Sequence, residues 1–199
     1  VSPSAIIACV GTMPDYSKAV TMQLKAAGDT LYLIGPRKDE LGGSAYYRAM
    51  GQGLGANVPQ VDFELHRRMI YAITEAIQAG HIAACTDIAD GGLATAVAEM
   101  MLGSYARGRL GAHLDLSGAT GDLRVDKWLF SETGGFVFEL KAGHEQAVAQ
   151  IMEANGVEMT RIGEVVDEAA LSITAGGGDV RVTTQDLRAA WADALAEIL

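Results

Sequence analysis

The chain is poor in basic residues and in cysteine, and it has no long apolar run. Fifteen Lys and Arg stand against 25 Asp and Glu, a formal net charge of -10. A surface of that sign repels phosphate backbones and anionic head groups, which argues against a general nucleic-acid or membrane-surface binder. A local basic spot can still hold one phosphate. Two cysteines, Cys9 and Cys85, lie in apolar runs. They read as buried free thiols of a reducing, cytoplasmic compartment, with a single Cys9–Cys85 bridge as the alternative. No apolar stretch approaches the ~20 residues that span a bilayer. The first residues lack the basic and long apolar regions of a signal peptide. Val1, where a Met is usual, reads as the start of a fragment or processed chain. No P-loop lysine pattern is found. The histidines His66, His81, His113 and His144 show no metal-ligand spacing and read as structural or solvated. No Ser-His-Asp or Cys-His arrangement can be assembled with any specificity.

What is present is core-forming. With 199 residues and 49% hydrophobic content, the chain can bury one large domain, or one domain plus a piece of another. Residues 5–10 read as a strand buried on both faces, and Leu31-Tyr32-Leu33-Ile34 as another. A short helix is predicted near Ala45–Met50. The clearest helix covers 61–79, where Val61, Leu65, Met69, Ile73 and Ile77 recur every four residues. Glu64 and Arg68 are spaced to pair on its outer face, and Gly80 stops it. A strand at 82–86, a helix at about 91–102, and half-buried strands around 112–116 and 136–140 follow. A helix over 143–155 ends at Asn155-Gly156. Strands at about 159–166, 170–174 and 180–183 precede a last helix. Thr183 and Asp186 form its capping box, and Leu187, Trp191, Leu195 and Ile198 its buried stripe. Strands adjacent in sequence near the end, with no strict βαβ rhythm, point to a mixed sheet covered by helices, the α+β class.

Three segments carry candidate chemistry. Asp87-Ile88-Ala89-Asp90-Gly91-Gly92 reads as strand, acidic turn, glycine pair and helix start. Such a turn aims free N–H groups at one spot, and Asp87 and Asp90 could hold a metal beside a phosphate; alternatively, Asp90 simply caps the helix. Gly42-Gly43-Ser44 before a short helix could receive a phosphate, with Arg37, Lys38 and Arg48 nearby; the alternative is a tight loop with Ser44 as cap. Ser131-Glu132-Thr133 before Gly134-Gly135 could grip a polar ligand or be a polar turn into a strand. Gly51-Gln52-Gly53-Leu54-Gly55-Ala56 fits the loose dinucleotide pattern, but it neither follows a strand nor opens a helix, so it is set aside.

In order along the chain, Val10-Gly11-Thr12-Met13-Pro14-Asp15, Gly28-Asp29-Thr30-Leu31-Tyr32, Glu40-Leu41-Gly42-Gly43-Ser44, Asp87-Ile88-Ala89-Asp90-Gly91-Gly92-Leu93 and Leu129-Phe130-Ser131-Glu132-Thr133 form a set. It resembles the C-terminal end of the large synthetase subunit in the phosphoribosylformylglycinamidine synthase family, related to aminoimidazole ribonucleotide synthetase. The resemblance implies an ATP- and Mg²⁺-dependent ligase of purine biosynthesis in which glutamine-derived ammonia converts formylglycinamide ribonucleotide to the amidine. It implies that residues 1–27 are the last strand and exit segment of a preceding ATP-binding domain, and 28–199 the second C-terminal-type domain. The family's Ser-Glu-Ser-Gln stretch is here Ser131-Glu132-Thr133-Gly134, without the glutamine. The direct catalytic groups and metal carboxylates would lie in other domains, so no catalytic and no metal-ligating residue is assigned here. Gly42, Gly43, Ser44, Asp87, Asp90, Gly91, Gly92, Ser131, Glu132 and Thr133 are expected to face a ligand cleft. Expected partners are the ATP-binding domains and the glutaminase and small accessory subunits, with no nucleic acid and no membrane. The apolar strand at 5–10, left without its sheet, would promote self-association. The alternatives are a purely structural assembly domain without ligand, and the C-terminal domain of a related ATP-dependent synthetase or kinase.

Overall fold

The period-four stripe in the middle of the chain does form a helix. Helix α2 runs Phe63–Gln78, begun by the Asp62 side chain accepting the Leu65 amide at 3.0 Å and closed at Gly80, whose φ of 80° suits glycine alone. Met69, Ala72, Ile73 and Ala76 are buried. Val61 lies ahead of the cap and is exposed, so it is not part of the stripe. Glu64 pairs with Arg67 at 3.8 Å rather than with Arg68, because Arg68 reaches the Gly156 carbonyl at 3.1 Å. The computed structural model describes residues 7–104, 110–176 and 178–192.

The strands are β1 (Thr30–Ile34), β2 (Ile82–Asp87), β3 (Gly111–Asp115), β4 (Phe136–Leu140), β5 (Met159–Val166), β6 (Ala170–Ala175) and β7 (Gly178–Thr183). They form one sheet in the order β2-β4-β1-β5-β3-β6-β7. Every pairing is antiparallel except β3 with β6. The sheet is therefore mixed, and the α+β expectation holds.

Alternation along the strands divides the core between the two faces. Leu31, Leu33, Val137, Leu114 and Ile162 pack with helices α3 (Gly92–Ser104) and α4 (Val125–Phe130). Ile34, Phe138 and Leu140 pack on the other face with α2 and α5 (Glu145–Ala154). Helix α4, which buries Trp128 and Leu129, was not anticipated; one and a half turns is too short to show a period. Among the described residues no helix is long and apolar enough to cross a membrane.

Both ends of the chain depart from expectation. Residues 7–10 form no strand, and Ile7 and Val10 are 90% and 94% exposed; Ala5 and Ile6 lie outside the described residues. An apolar run becomes a strand only where a sheet offers it a partner, and none pairs here. The expected orphan edge behind self-association is therefore not formed by residues 7–10. Cys9 is exposed, while Cys85 is half-buried; both are free thiols. Burial, with Asp87 nearby, pushes the Cys85 thiol up to about 12. Within the expected exit segment, Thr21 bridges to Ala84, and Leu24 is fully buried with its amide on Met100 O at 3.2 Å. In helix α6 (Thr184–Ala192) the capping box forms, with Thr183 Oγ1 donating to Asp186 at 2.6 Å and accepting the Asp186 amide at 3.1 Å. Leu187 packs on the core, but Trp191 is 71% exposed and lines the rim of a cavity with Met22, Glu99, Leu102 and Gly103. Leu195 and Ile198 lie outside the described residues.

Candidate functional site

The three glycine- and hydroxyl-bearing segments, far apart in sequence, come together at one end of the sheet. Their junction is the Glu132 side chain. Its Oε1 accepts the Ala45 amide, at the start of helix α1 (Ala45–Ala49), and the Gly91 amide, at the start of α3, each at 2.8 Å. One carboxylate oxygen thus closes the N-terminal ends of two helices, where unpaired N–H groups and the helix dipole favour negative charge.

The glycines on either side allow that closeness. A Cβ on Gly92, at φ 72°, would sit 2.7 Å from Leu129 O. A Cβ on Gly42 would sit 2.7 Å from the Asn57 backbone, whose carbonyl accepts the Gly42 amide at 2.8 Å. The Gly51–Ala56 loop is exposed and follows α1, and its Leu54 carbonyl accepts the Gly43 amide at 2.5 Å.

Hydroxyl groups at the site point inward. Ser44 is buried, donates to Leu41 O at 2.7 Å and accepts the Tyr47 amide at 3.2 Å, which makes it the cap of α1. Ser131 and Thr133 are buried, their hydroxyls 2.7 Å apart, and Thr133 donates to Glu40 Oε2 at 2.8 Å. Glu40 also pairs with Lys38 at 3.8 Å. The groups that face outward are the carboxylates of Asp87 and Asp90, both exposed. Asp90 is not the cap of α3: among the described residues its carboxylate makes no hydrogen bond, and the Gly91 amide goes to Glu132 instead. Two successive left-handed glycines follow Asp90: Gly91, and Gly92, the first residue of α3.

Sequence reasoning missed the role of Arg37. Its guanidinium donates to the carbonyls of Ser131 at 3.0 Å and Gly134 at 3.1 Å, and also to that of Thr133. Burial lowers its pKa to about 10, with Glu40 opposing that shift, so it stays charged at neutral pH. Arg37 therefore clamps the 131–134 loop and has little left for a phosphate, whereas Arg48 is exposed on α1. The one available signal was an Arg two residues after Gly35, just past the end of a buried strand.

The remaining histidines are dispersed: His66 Nδ1 is 2.7 Å from Asp62 O, and His113 Nε2 is 3.4 Å from Thr174 Oγ1. Among the described residues no group of three His, Cys, Asp or Glu could hold a metal. A nucleotide with its magnesium ion accordingly does not fit these residues alone: the hydroxyls and Arg37 are engaged, and the two exposed carboxylates lack a third ligand.

Residues 26–176 match the family described as AIR synthase related protein, C-terminal domain. The chain belongs to that family. It is 44% identical over 200 residues to the phosphoribosylformylglycinamidine synthase subunit PurL of Methanothrix thermoacetophila, an alignment covering 100% of this chain and 25% of that protein. The domain shares its fold with Thermotoga maritima PurL complexed with FGAR, at a TM-score of 0.73 and 18% identity, covering 86% of this chain and 29% of that one. The same protein complexed with ATP gives a TM-score of 0.65 at 18% identity over 86% and 27%. The chain therefore spans about a quarter of the length of the curated relative it matches.

Proposed function

We propose that this family member is the C-terminal region of a PurL-type synthetase subunit and acts by completing a ligand cleft whose chemistry is done elsewhere in the protein. The observation that carries the reading is the double acceptance at Glu132 Oε1, which holds the Gly42–Ser44 and Asp87–Gly92 segments in one surface. The reaction is ATP-dependent conversion of formylglycinamide ribonucleotide to the amidine, with magnesium and glutamine-derived ammonia, in the cytoplasm. Support comes from the alignment of the whole chain to PurL. Residues up to about 20 serve as the exit from a preceding ATP-binding domain, and the domain proper begins where Thr21 and Leu24 join its sheet and core. Glutaminase and small accessory subunits are its further partners, in keeping with a relative that is itself named a subunit.

The test is a chimera in which this chain replaces the matching quarter of the Methanothrix protein. We expect ATP- and ammonia-dependent amidine formation from the chimera and none from the chain alone. A folded but inactive chimera, or turnover by the chain alone, overturns the reading.

The inward-facing hydroxyls of Ser44, Ser131 and Thr133 favour a second reading, in which the domain braces its neighbours and its cleft holds no ligand. Calorimetry of the chain with ADP, magnesium and the ribonucleotide separates the two. Binding that is lost on Asp90→Ala disfavours the bracing reading.

A further inference from the structure

Two of the four histidines meet far from the candidate site. His81 sits in the turn between α2 and β2, and His144 at the N-cap position of α5. Their Nδ1 atoms are 2.7 Å apart, with ring centroids at 4.9 Å and planes tilted by 58°. At that separation one nitrogen must carry a hydrogen and the other a lone pair, since two hydrogens or two lone pairs would repel. One ring is therefore the Nδ1–H tautomer and the other the Nε2–H tautomer. The His144 side chain makes no cap bond to α5, its Nδ1 being engaged with His81.

The surroundings oppose a second positive charge. Lys141 Nζ donates to Gly80 O at 2.7 Å, its amide donates to His81 O at 3.4 Å, and its carbonyl accepts the His144 amide at 3.2 Å. Lys18 Nζ donates to Gln78 O at 2.8 Å, at the end of α2. The start of α5 adds the positive end of a helix dipole. The nearby acids on these elements are Glu145, in the first turn of α5, and Asp29, which accepts the Ala142 amide at 3.1 Å. A metal ion has no third protein ligand of His, Cys, Asp or Glu type here among the described residues.

We propose that His81 and His144 share one proton as a clasp that pins the β4–α5 turn to the α2–β2 turn, and that acidification opens the clasp by charging both rings. Gly80 and Lys141 also line a cavity of about 450 Å³ together with Lys18 and Lys25. The clasp therefore borders the place where the incoming segment seats on the domain.

Long-range nitrogen–proton NMR on the full chain tests this directly. At pH 8 one of the two rings is expected in the Nδ1–H tautomer and the other in the Nε2–H tautomer. Once acidification has made both rings cationic, read from the same spectra, the protection factors of the amides of 144 and 148, corrected for the intrinsic pH dependence of exchange, fall by about tenfold. The His81→Phe variant should show the low protection factors at both pH values. Two Nε2–H tautomers at pH 8, or protection factors at 144 and 148 that stay constant once both rings are cationic in the native chain, overturns the clasp whether or not the variant folds.

Discussion

Glu132 accepts the Gly91 amide at 2.8 Å across 41 residues of sequence, and the same oxygen takes the Ala45 amide. Removing the side chain strands two helix-end donors in a half-buried junction. Glu132→Ala is expected to lower stability by about 2–3 kcal/mol, read as a drop in urea midpoint at unchanged slope. Glu132→Gln, which keeps a carbonyl oxygen, should recover more than half of that loss. Equal losses for the two variants would show that the junction does not depend on this oxygen.

Arg37→Met leaves three loop carbonyls without their donor. With the guanidinium buried against them, a loss of about 3 kcal/mol or more is expected. Proteolysis should begin at the 131–134 loop in the variant and not in the parent. An unchanged cleavage pattern would remove Arg37 from its role as clamp.

Gly92→Ala places a Cβ 2.7 Å from Leu129 O at φ 72°. Steric overlap and an unfavourable backbone region act together, for a cost of about 2–3 kcal/mol. Gly43→Ala is the control. Its φ of 76° is similar, but nothing stands within 4 Å, so only the conformational cost of about 1–2 kcal/mol remains. Thermal unfolding of both variants tests the difference.

Glu139 sits buried on β4 with its oxygens accepting the amides of Lys25 at 2.9 and 3.1 Å and of Ala26 at 2.9 Å. Burial pushes its pKa up to about 7; the amides of Ala26 and Lys25 oppose that shift and Asp29 adds to it. The folded state therefore binds the proton more tightly than the unfolded chain does. This contribution to stability is fully present below the unfolded value of about 4.5 and is lost as pH rises through about 7. Glu139→Gln should flatten the fall in urea midpoint between pH 5 and pH 8. A variant that keeps the full slope would assign it to other groups.

Where a signal is periodic or local, the sequence carries the structure. Met69, Ile73 and Ala76 are buried on α2 because a 3.6-residue repeat admits only one face to a core. Phe136, Phe138 and Leu140 share a face of β4 for the equivalent reason in a strand, and the Thr183–Asp186 cap needs only its own four residues. Signals that depend on a distant partner misled. The run at 5–10 is as apolar as β1 yet leaves Ile7 and Val10 exposed, because pairing lies outside the segment. Trp191 keeps the helical spacing of a buried stripe, but it lies at the edge of the body beside Glu99 and Leu102 of α3 and stays exposed.

The candidate site divides in the same way. The glycine pairs and their acidic or hydroxyl neighbours marked three turns, and the ordered set of motifs pointed to the family that the matched residues 26–176 bear out. Which side chain does what was decided by the fold. Asp90 was one reading for the cap of α3, and the amide at that helix start, of Gly91, is taken by Glu132 instead. The charge of Arg37 was expected near a phosphate, and it clamps backbone carbonyls.

By itself the sequence determined most of the elements, the mixed α+β layering and the family, because these follow from local periodicity and from residues counted in order. Only the tertiary structure decided which polar groups are satisfied internally and which face outward. A buried hydroxyl or guanidinium takes whatever acceptor the sheet order brings within 3 Å of it, and β4, which follows both β1 and β2 in the chain, is inserted between them in the sheet so that the three turns meet.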